Sequence, residues 1–515
     1  MTMTHCIRFV LLSLFVTICS AGTPAPAHYF HYQIIDHLNS KGAYQGKVWT
    51  QRYYVWENEF QGPGYPIFLI LGGEGAVPPS TGLFYPFITH HLAKSFGGYV
   101  LEPEHRFYGE SQPLLNFPQK ELGGQDPRVG LLTSEQALYD AMYLLDHIQY
   151  QLGCSRDKFS PRYCPVITVG GSYPGWLSAM ARTVFPQKVD MAYAASAPMT
   201  FYSQQVNVSA YYNHITKVAE HTISGCSSAV QSALSEIRSA ILSRKYNESS
   251  LGICEGTIPK YISTDSVDGL AVLVDELMMV IGCTFADDNM ANYPPTNTSR
   301  LYHACETFLS TDKNAFDKVS EFLTKRLGVD NDAYSSAPRR SSTPCWNMTK
   351  QLPSGHDATI SSGDWSGVGT GSNGESWDFQ TCTLLVEAIG FSQESMFPPR
   401  NWSLDWLTDH CQRRFGVTPD PYNLVRRWRF DDLASANVTR ILFTNGMNDG
   451  WSVGGFQKDL SDSLLVLNFP NGAHHSDLSG RGPSEDDTAD IRSGFVQIQR
   501  ILGKWLEEIR ITSKR

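Results

Sequence analysis

A serine hydroxyl attacks a carbonyl efficiently only when a histidine takes its proton and an acid holds that histidine in the right tautomer. Ser172, Asp449 and His474 stand in an order along this 515-residue chain that suits such a relay. Ser172 follows the apolar run Pro165-Val166-Ile167-Thr168-Val169 and two glycines, and precedes a helix-like stretch at 176–184. Strand, tight turn and helix is the setting that presents a nucleophilic serine, with acid and then histidine further along the chain. Pro174 stands where the pattern G-x-S-x-G has its last glycine. The first turn of a helix tolerates proline there, because its N–H groups have no partner within the helix. Taken alone, Gly170-Gly171-Ser172 also suits an ordinary glycine turn.

Asp449 lies in Asn445-Gly446-Met447-Asn448-Asp449-Gly450-Trp451, directly after the strand-like Arg440-Ile441-Leu442-Phe443-Thr444. His474 and His475 follow Leu464-Leu465-Val466-Leu467-Asn468 in the same way. Reactive groups of open α/β sheets gather in such loops, and the 25-residue step from Asp449 to His474 has room for one helix and one strand. Singly, these are a turn aspartate and a surface histidine; in order after Ser172 they read as a triad. An oxyanion needs backbone N–H donors. Tyr173 would supply one, and Gly73 in the loop Gly72-Gly73-Glu74-Gly75 the other, although such glycines also make tight turns.

The elements that would position these groups alternate in the first part of the chain. Apolar runs at 65–71, 99–101 and 165–169 lack polar alternation, and Thr133-Ser134-Glu135-Gln136 offers a capping box for a helix with Leu138, Ala141, Leu145 and Ile148 on one face. Strands of this kind separated by helices imply a parallel sheet covered on both faces. From about 200 to 430 helical stretches dominate, at 229–242, 267–281 and 314–327, interrupted by a Gly/Ser-rich segment at 361–376. Strand patterns return at 440–444 and 464–468, and a helical tail at 490–509 closes the chain. The expectation is one sheet domain, 22–200 with 430–515, carrying a mostly helical insertion at 201–429.

Composition sets the class. Aromatic residues make up 12% and charged residues 18%, as in a packed globular protein. A net charge of −10 argues against nucleic acid as a partner. Arg8, an apolar run at 9–19 and the small residues Cys19-Ser20-Ala21 read as a signal peptide over 1–21, too short to span a bilayer. No later segment reads as a membrane span, so the expectation is a soluble, exported chain. Nine cysteines remain after the leader, with no C-x-x-C spacing of a zinc site, so disulfides with at least one odd thiol are expected. Sequons at Asn207, Asn247, Asn297, Asn347, Asn401 and Asn437 all fall within the insertion and its far edge, which implies much exposed surface there.

Further motifs carry a family resemblance. Glu104-His105-Arg106-Phe107-Tyr108-Gly109-Glu110-Ser111, Gly170-Gly171-Ser172-Tyr173, Met290-Ala291-Asn292-Tyr293-Pro294, Phe379-Gln380-Thr381-Cys382-Thr383 and Gly472-Ala473-His474-His475-Ser476-Asp477-Leu478 resemble the family of lysosomal Pro-Xaa carboxypeptidase, dipeptidyl peptidase II and thymus-specific serine protease. The resemblance spans roughly residues 30 to 510. It implies an α/β-hydrolase domain with a helical cap, and cleavage of peptides, often after proline and often in acidic compartments. Carried over motif by motif, it implies the triad Ser172, Asp449 and His474, pocket-lining roles for Trp176 and Trp451, and a disulfide between Cys382 and Cys411. Three positions depart from its pattern: Pro174 in the elbow, Gly450 where proline is usual, and Leu384 where an acid commonly follows Cys-Thr.

The leading expectation is therefore a serine exopeptidase of the secretory pathway, secreted or lysosomal. It would use an acyl-enzyme on Ser172 and no cofactor or metal, act on proline-containing peptides, and have the option of forming a homodimer. An esterase or lipase of the same fold, and a binding protein without activity, are the rival readings.

Overall fold

The computed structural model describes residues 25–39, 41–78, 83–115, 126–258, 262, 264–327, 345–346 and 371–512. The signal peptide expected over 1–21 lies outside them, as do Asn347 and the part of the Gly/Ser-rich segment at 361–370. Eight strands form one sheet: β1 (His28–Ile34), β2 (Val48–Trp56), β3 (Ile67–Ile70), β4 (Tyr99–Pro103), β5 (Val166–Gly171), β6 (Met191–Ala195), β7 (Ile441–Gly446) and β8 (Leu464–Phe469). Their order is β1-β2-β4-β3-β5-β6-β7-β8. The six from β4 to β8 run parallel, and the β1–β2 and β2–β4 pairings are antiparallel. Every residue of β3, β4, β5, β6 and β7 is buried, which is why these strands read as unbroken apolar runs. The pattern gave no sign of β1 and β2. In His28-Tyr29-Phe30-His31-Tyr32-Gln33-Ile34 only Phe30 and Gln33 are buried, the reduced cover of an edge strand.

Successive residues of the central strands face opposite layers. Ile67, Leu69 and Leu101 join a core with α2 (Ser134–Leu152) and α3 (Tyr173–Val184), whereas Phe68, Ile70 and Val100 face α1 (Ala93–Phe96) and the closing helix α14 (Ala489–Thr512). The expected capping box at α2 is half formed. Thr133 Oγ1 accepts the Gln136 N–H at 3.2 Å, but the Gln136 side chain turns away to Asp36 and the Gly130 carbonyl.

Between β6 and β7 the described regular elements are helices, apart from isolated bridges: α4 (Met199–Tyr202), α5 (Ala210–Thr222), α6 (Cys226–Leu242), α7 (Val267–Met290), α8 (Arg300–Leu309), α9 (Ala315–Leu327), α10 (Gly371–Thr381), α11 (Leu404–Phe415) and α12 (Asn423–Trp428). Helices α5 to α9 share a core of their own around Leu234, Leu277 and Phe308. The end of the Gly/Ser-rich segment, expected as an interruption, is the first half of α10. Helix α7 is also longer and more apolar than anticipated. It is long and apolar enough to cross a membrane, but 83% of its apolar stretch is buried inside the protein.

The nine cysteines resolve into four disulfides and one thiol. Cys226–Cys305, Cys254–Cys345 and Cys382–Cys411 tie the helical region, Cys154–Cys164 braces the approach to β5, and Cys283 is free and buried. The Cys382–Cys411 bond is the pairing the resemblance implied. Asn207, Asn247, Asn297, Asn401 and Asn437 are all exposed.

Candidate active site

Ser172 sits between β5 and α3 with φ 65° and ψ −132°, a conformation a non-glycine residue adopts only under local constraint. Its N–H donates to the Ala195 carbonyl at 2.9 Å and its carbonyl accepts from Trp176 at 3.1 Å, so backbone bonds on both sides hold the turn. The glycines around it are close-approach residues. A Cβ on Gly170 would lie 2.1 Å from the Pro174 carbonyl oxygen, and one on Gly171 would lie 2.7 Å from the His475 ring. Pro174 occupies the first turn of α3 with no cost in hydrogen bonds, and its ring packs so close to Gly73 that a Cβ there would lie 2.5 Å away. The proline that breaks the elbow pattern thus fits a glycine on the facing loop.

Asp449 and His474 meet. The Asp449 Oδ2 and His474 Nδ1 atoms are 2.5 Å apart, with Asp449 fully buried and the His474 side chain 9% exposed. Asp449 Oδ1 accepts the Trp451 N–H at 3.0 Å, which fixes the carboxylate and starts the short helical turn Gly450–Gly454. That turn and β8 fill the step from acid to histidine.

The C-terminus of α7 holds both loops. Asn289 Nδ2 donates to the Asn448 carbonyl at 2.6 Å, Asn289 Oδ1 accepts the Gly450 N–H at 2.8 Å, and the Met290 carbonyl accepts the His474 N–H at 3.2 Å. Proline at 450 could not make the second of these bonds, and a Cβ there would lie 2.8 Å from Tyr211 Cε2, which favours glycine. Asn289 was missed in the sequence, although it stands one residue before the Met290-Ala291-Asn292-Tyr293-Pro294 motif. Its clue was that motif's distance from every expected catalytic residue.

His475 is distinct from its neighbour. Its N–H donates to Ser196 Oγ at 2.9 Å, and burial, followed by the neighbouring His474, lowers its pKa to about 3. It is a neutral packing group behind the serine turn. Tyr85 was also missed. Its hydroxyl accepts the Gly171 N–H at 3.0 Å, beside the nucleophile position.

Ser172, His474, Gly73 and Trp451 line one cavity of about 510 Å³, which lies over the C-terminal ends of the parallel strands. The far wall is helical, with Tyr211 and Tyr212 from α5, Asp287 from α7 and Trp377 from α10. Tyr173 opens α3, where its backbone N–H has no intrahelical acceptor. Its side chain points into the protein, where Tyr173 Oη receives Gln380 Nε2 at 3.1 Å and donates to Ser134 Oγ at 3.2 Å.

Trp176 requires a correction. It does not line the cavity; it is completely buried, stacked on Trp428 at 5.6 Å and edge-on to Tyr202 at 5.4 Å. One helical turn after Ser172, its side chain points beneath α3 into the sheet core, so it backs the wall that Tyr202 presents. Trp451 does line the cavity, packed against Phe201 and Tyr211 with its Nε1–H on Met290 Sδ at 3.3 Å. Leu384 packs against the sheet core, and the carboxylate of its segment that reaches the cavity is Glu387.

An eight-stranded sheet of this order, a strained serine after β5 and an acid–histidine pair after β7 and β8 define an α/β-hydrolase. Residues 33–494 match the family described as serine carboxypeptidase S28, and the chain belongs to that family of serine peptidases. It is 26% identical over 497 residues to lysosomal Pro-X carboxypeptidase of Mus musculus, covering 95% of this chain and 92% of that protein. It is 28% identical over 492 residues to thymus-specific serine protease of Mus musculus, covering 92% and 87%. Among solved structures, Pyrococcus horikoshii acylaminoacyl peptidase overlaps in part, at 12% identity over 35% of this chain and 25% of that chain, with a TM-score of 0.23.

Proposed function

We propose that this serine peptidase is an exopeptidase that cleaves next to proline through an acyl-enzyme on Ser172. The observation that carries the reading is the cavity itself: a ring-lined space that opens onto Ser172 and His474 together. Trp451 and Tyr211, with Phe201 packed behind Trp451, form a rigid aromatic wall, which suits a proline ring that is itself rigid and has no N–H to satisfy. In the first step His474 takes the Ser172 proton, and Oγ bonds to the substrate carbonyl carbon. The oxyanion then rests on the N–H groups of Tyr173 and Gly73. The protonated His474 gives its proton to the leaving amine as the C–N bond breaks, and water repeats the sequence to free the acid. Asp449 holds the Nδ1–H and stabilises the imidazolium.

Lysosomal Pro-X carboxypeptidase is among the relatives, and four disulfides suit an oxidising compartment. The working site is therefore the secretory pathway, secreted or lysosomal. The test is a peptide library digested between pH 4 and 7 and read by mass spectrometry. Trimming from one end at proline is expected. Ester hydrolysis with no peptide cut at all would contradict the reading.

A further inference from the structure

The ladder between β3 and β5 is regular up to the serine turn and then changes its acceptor. The Ile67 N–H donates to the Pro165 carbonyl and the Leu71 N–H to the Val169 carbonyl, so the odd-numbered residues of β5 face β3. Ser172, on the other phase, donates to Ala195 on the β6 side. The next rung of this parallel ladder would take the Gly171 N–H to the Leu71 carbonyl. There β3 leaves the sheet for the loop at 72–75, which carries the candidate oxyanion donor Gly73, and the Tyr85 hydroxyl takes the bond instead, at 3.0 Å. The exchange alters the chemistry at that point. A carbonyl only accepts, whereas a phenol that accepts through its oxygen still has an O–H to give, and among the described residues nothing receives it.

Tyr85 lines the cavity together with Ser172 and Gly73, so this spare donor stands where the nucleophile turn and the oxyanion loop part. It is held there from several sides. Tyr85 has φ 58°, a left-handed conformation that an aromatic residue keeps only under constraint. The Phe84 N–H donates to Oε2 of the buried Glu102 at 2.9 Å, the Tyr85 carbonyl accepts the Ile88 N–H at 2.9 Å, and the Tyr85 ring stands edge-on to His475 at 5.9 Å. Burial raises the pKa of the phenol, so the O–H is present throughout the range in which a histidine acts as base.

We propose that Tyr85 is a catalytic residue whose hydroxyl donates a hydrogen bond to the oxyanion formed when Ser172 attacks, as a third donor beside the N–H groups of Tyr173 and Gly73. This deepens the peptidase reading and rests on its acyl-enzyme at Ser172. The phenol transfers no proton. Negative charge grows on the substrate oxygen as the Oγ–C bond forms, and the O–H stabilises that charge until the carbonyl is restored. The same hydroxyl also satisfies the Gly171 N–H, so the test must separate donation to the oxyanion from holding the turn.

The test compares hydrolysis of p-nitrophenyl acetate with that of its thiono analogue, after subtracting the rate of Ser172→Ala. In the thionoester the charge develops on sulfur, a weak hydrogen-bond acceptor, so a donor to the oxyanion is worth less there. Tyr85→Phe should lower kcat/KM about 100-fold on the oxygen ester and by no more than about 10-fold on the thionoester. Equal losses on the two esters would reduce Tyr85 to a prop for the turn and overturn the proposal, as would an unchanged rate. Tyr85→O-methyltyrosine keeps the oxygen that accepts from Gly171 and removes only the donor. It should show the same unequal loss, and full activity on the oxygen ester in that variant would contradict the proposal. Because the bond to the turn is preserved, this second variant decides the matter where Tyr85→Phe fails to fold. Ester turnover without any peptide cleavage would contradict the peptidase reading alone, with Tyr85 still decided by the two esters. Turnover by Ser172→Ala at the wild-type rate would remove both.

Discussion

The sheet and the helical region are held together in different ways. The sheet stands on consecutive buried parallel strands flanked by α2, α3, α1 and α14, and one disulfide serves it. Helices α5 to α9 have a separate core, whereas α10 to α12 pack against the sheet side, and three disulfides tie the helical region, two of them closing loops of 79 and 91 residues. The difference teaches where each task lies. Reacting groups need fixed positions, and here they sit on strand ends locked by backbone bonds. The far wall of the cavity comes from helices, and disulfides tie that region covalently.

The comparison can be broken first at the nucleophile. Ser172→Ala should lower kcat by about 10⁶-fold with the circular dichroism spectrum unchanged, since the hydroxyl makes no structural contact the fold requires. Retained peptide hydrolysis would remove the chemistry from the sheet. Asp449→Asn should cost about 10⁴-fold in kcat, because the amide cannot hold the histidine in the same tautomer. Asn289→Ala tests whether the helices contribute to the chemistry at all. It removes the bonds to Asn448 and Gly450, and a loss of roughly 10- to 100-fold in kcat is expected with KM little changed. A change confined to KM would return α7 to a purely binding role.

Breaking the Cys382–Cys411 bond in a double serine variant sharpens the other side of the comparison. Stability should fall by about 2–4 kcal/mol in thermal unfolding, and KM should rise more than kcat falls, because α10 and α11 both line the cavity.

The smallest effect is on pH. Burial raises Glu102 and Glu387 to about 8 in the folded protein, above the ordinary 4.5. The native state then binds protons that the unfolded chain has released, so this stability is full below about pH 4.5 and is lost as pH rises through 8. His475 and His105, lowered to about 3 and about 4 from 6.5, work the other way, and their stability is lost as pH falls below 6.5. Tm should therefore be higher at about pH 5.5 than at about pH 8, by roughly 5 °C. Glu102→Gln should flatten the alkaline arm.

Much of the site was readable because its signals are local. Buried strands leave unbroken apolar runs, and glycine, serine and proline leave a turn between β5 and α3. The order of serine, acid and histidine is a property of the chain itself. What escaped was fixed by contacts between distant segments. The strands β1 and β2 are half exposed and carry mixed residues, so neither apolar run nor clean alternation marks them. Trp176 looks like a pocket residue until the direction of α3 sends it into the core. The motif Glu104–Ser111 suggests chemistry, but Glu104 pairs with Arg52, Arg106 with Asp140, and Tyr108 Oη donates to Gln380 at 2.6 Å. Those residues join the sheet to α2 and α10, and only the assembled fold reveals it.

The central claim is that Ser172 is activated by the Asp449–His474 pair. Incubation with a fluorophosphonate, digestion and mass spectrometry of the peptide spanning the β5–α3 turn tests it most directly. A single adduct on Ser172 is expected in the wild type, with strongly slowed labelling in His474→Ala. An adduct on another serine, or labelling of Ser172 at the wild-type rate without His474, would contradict it.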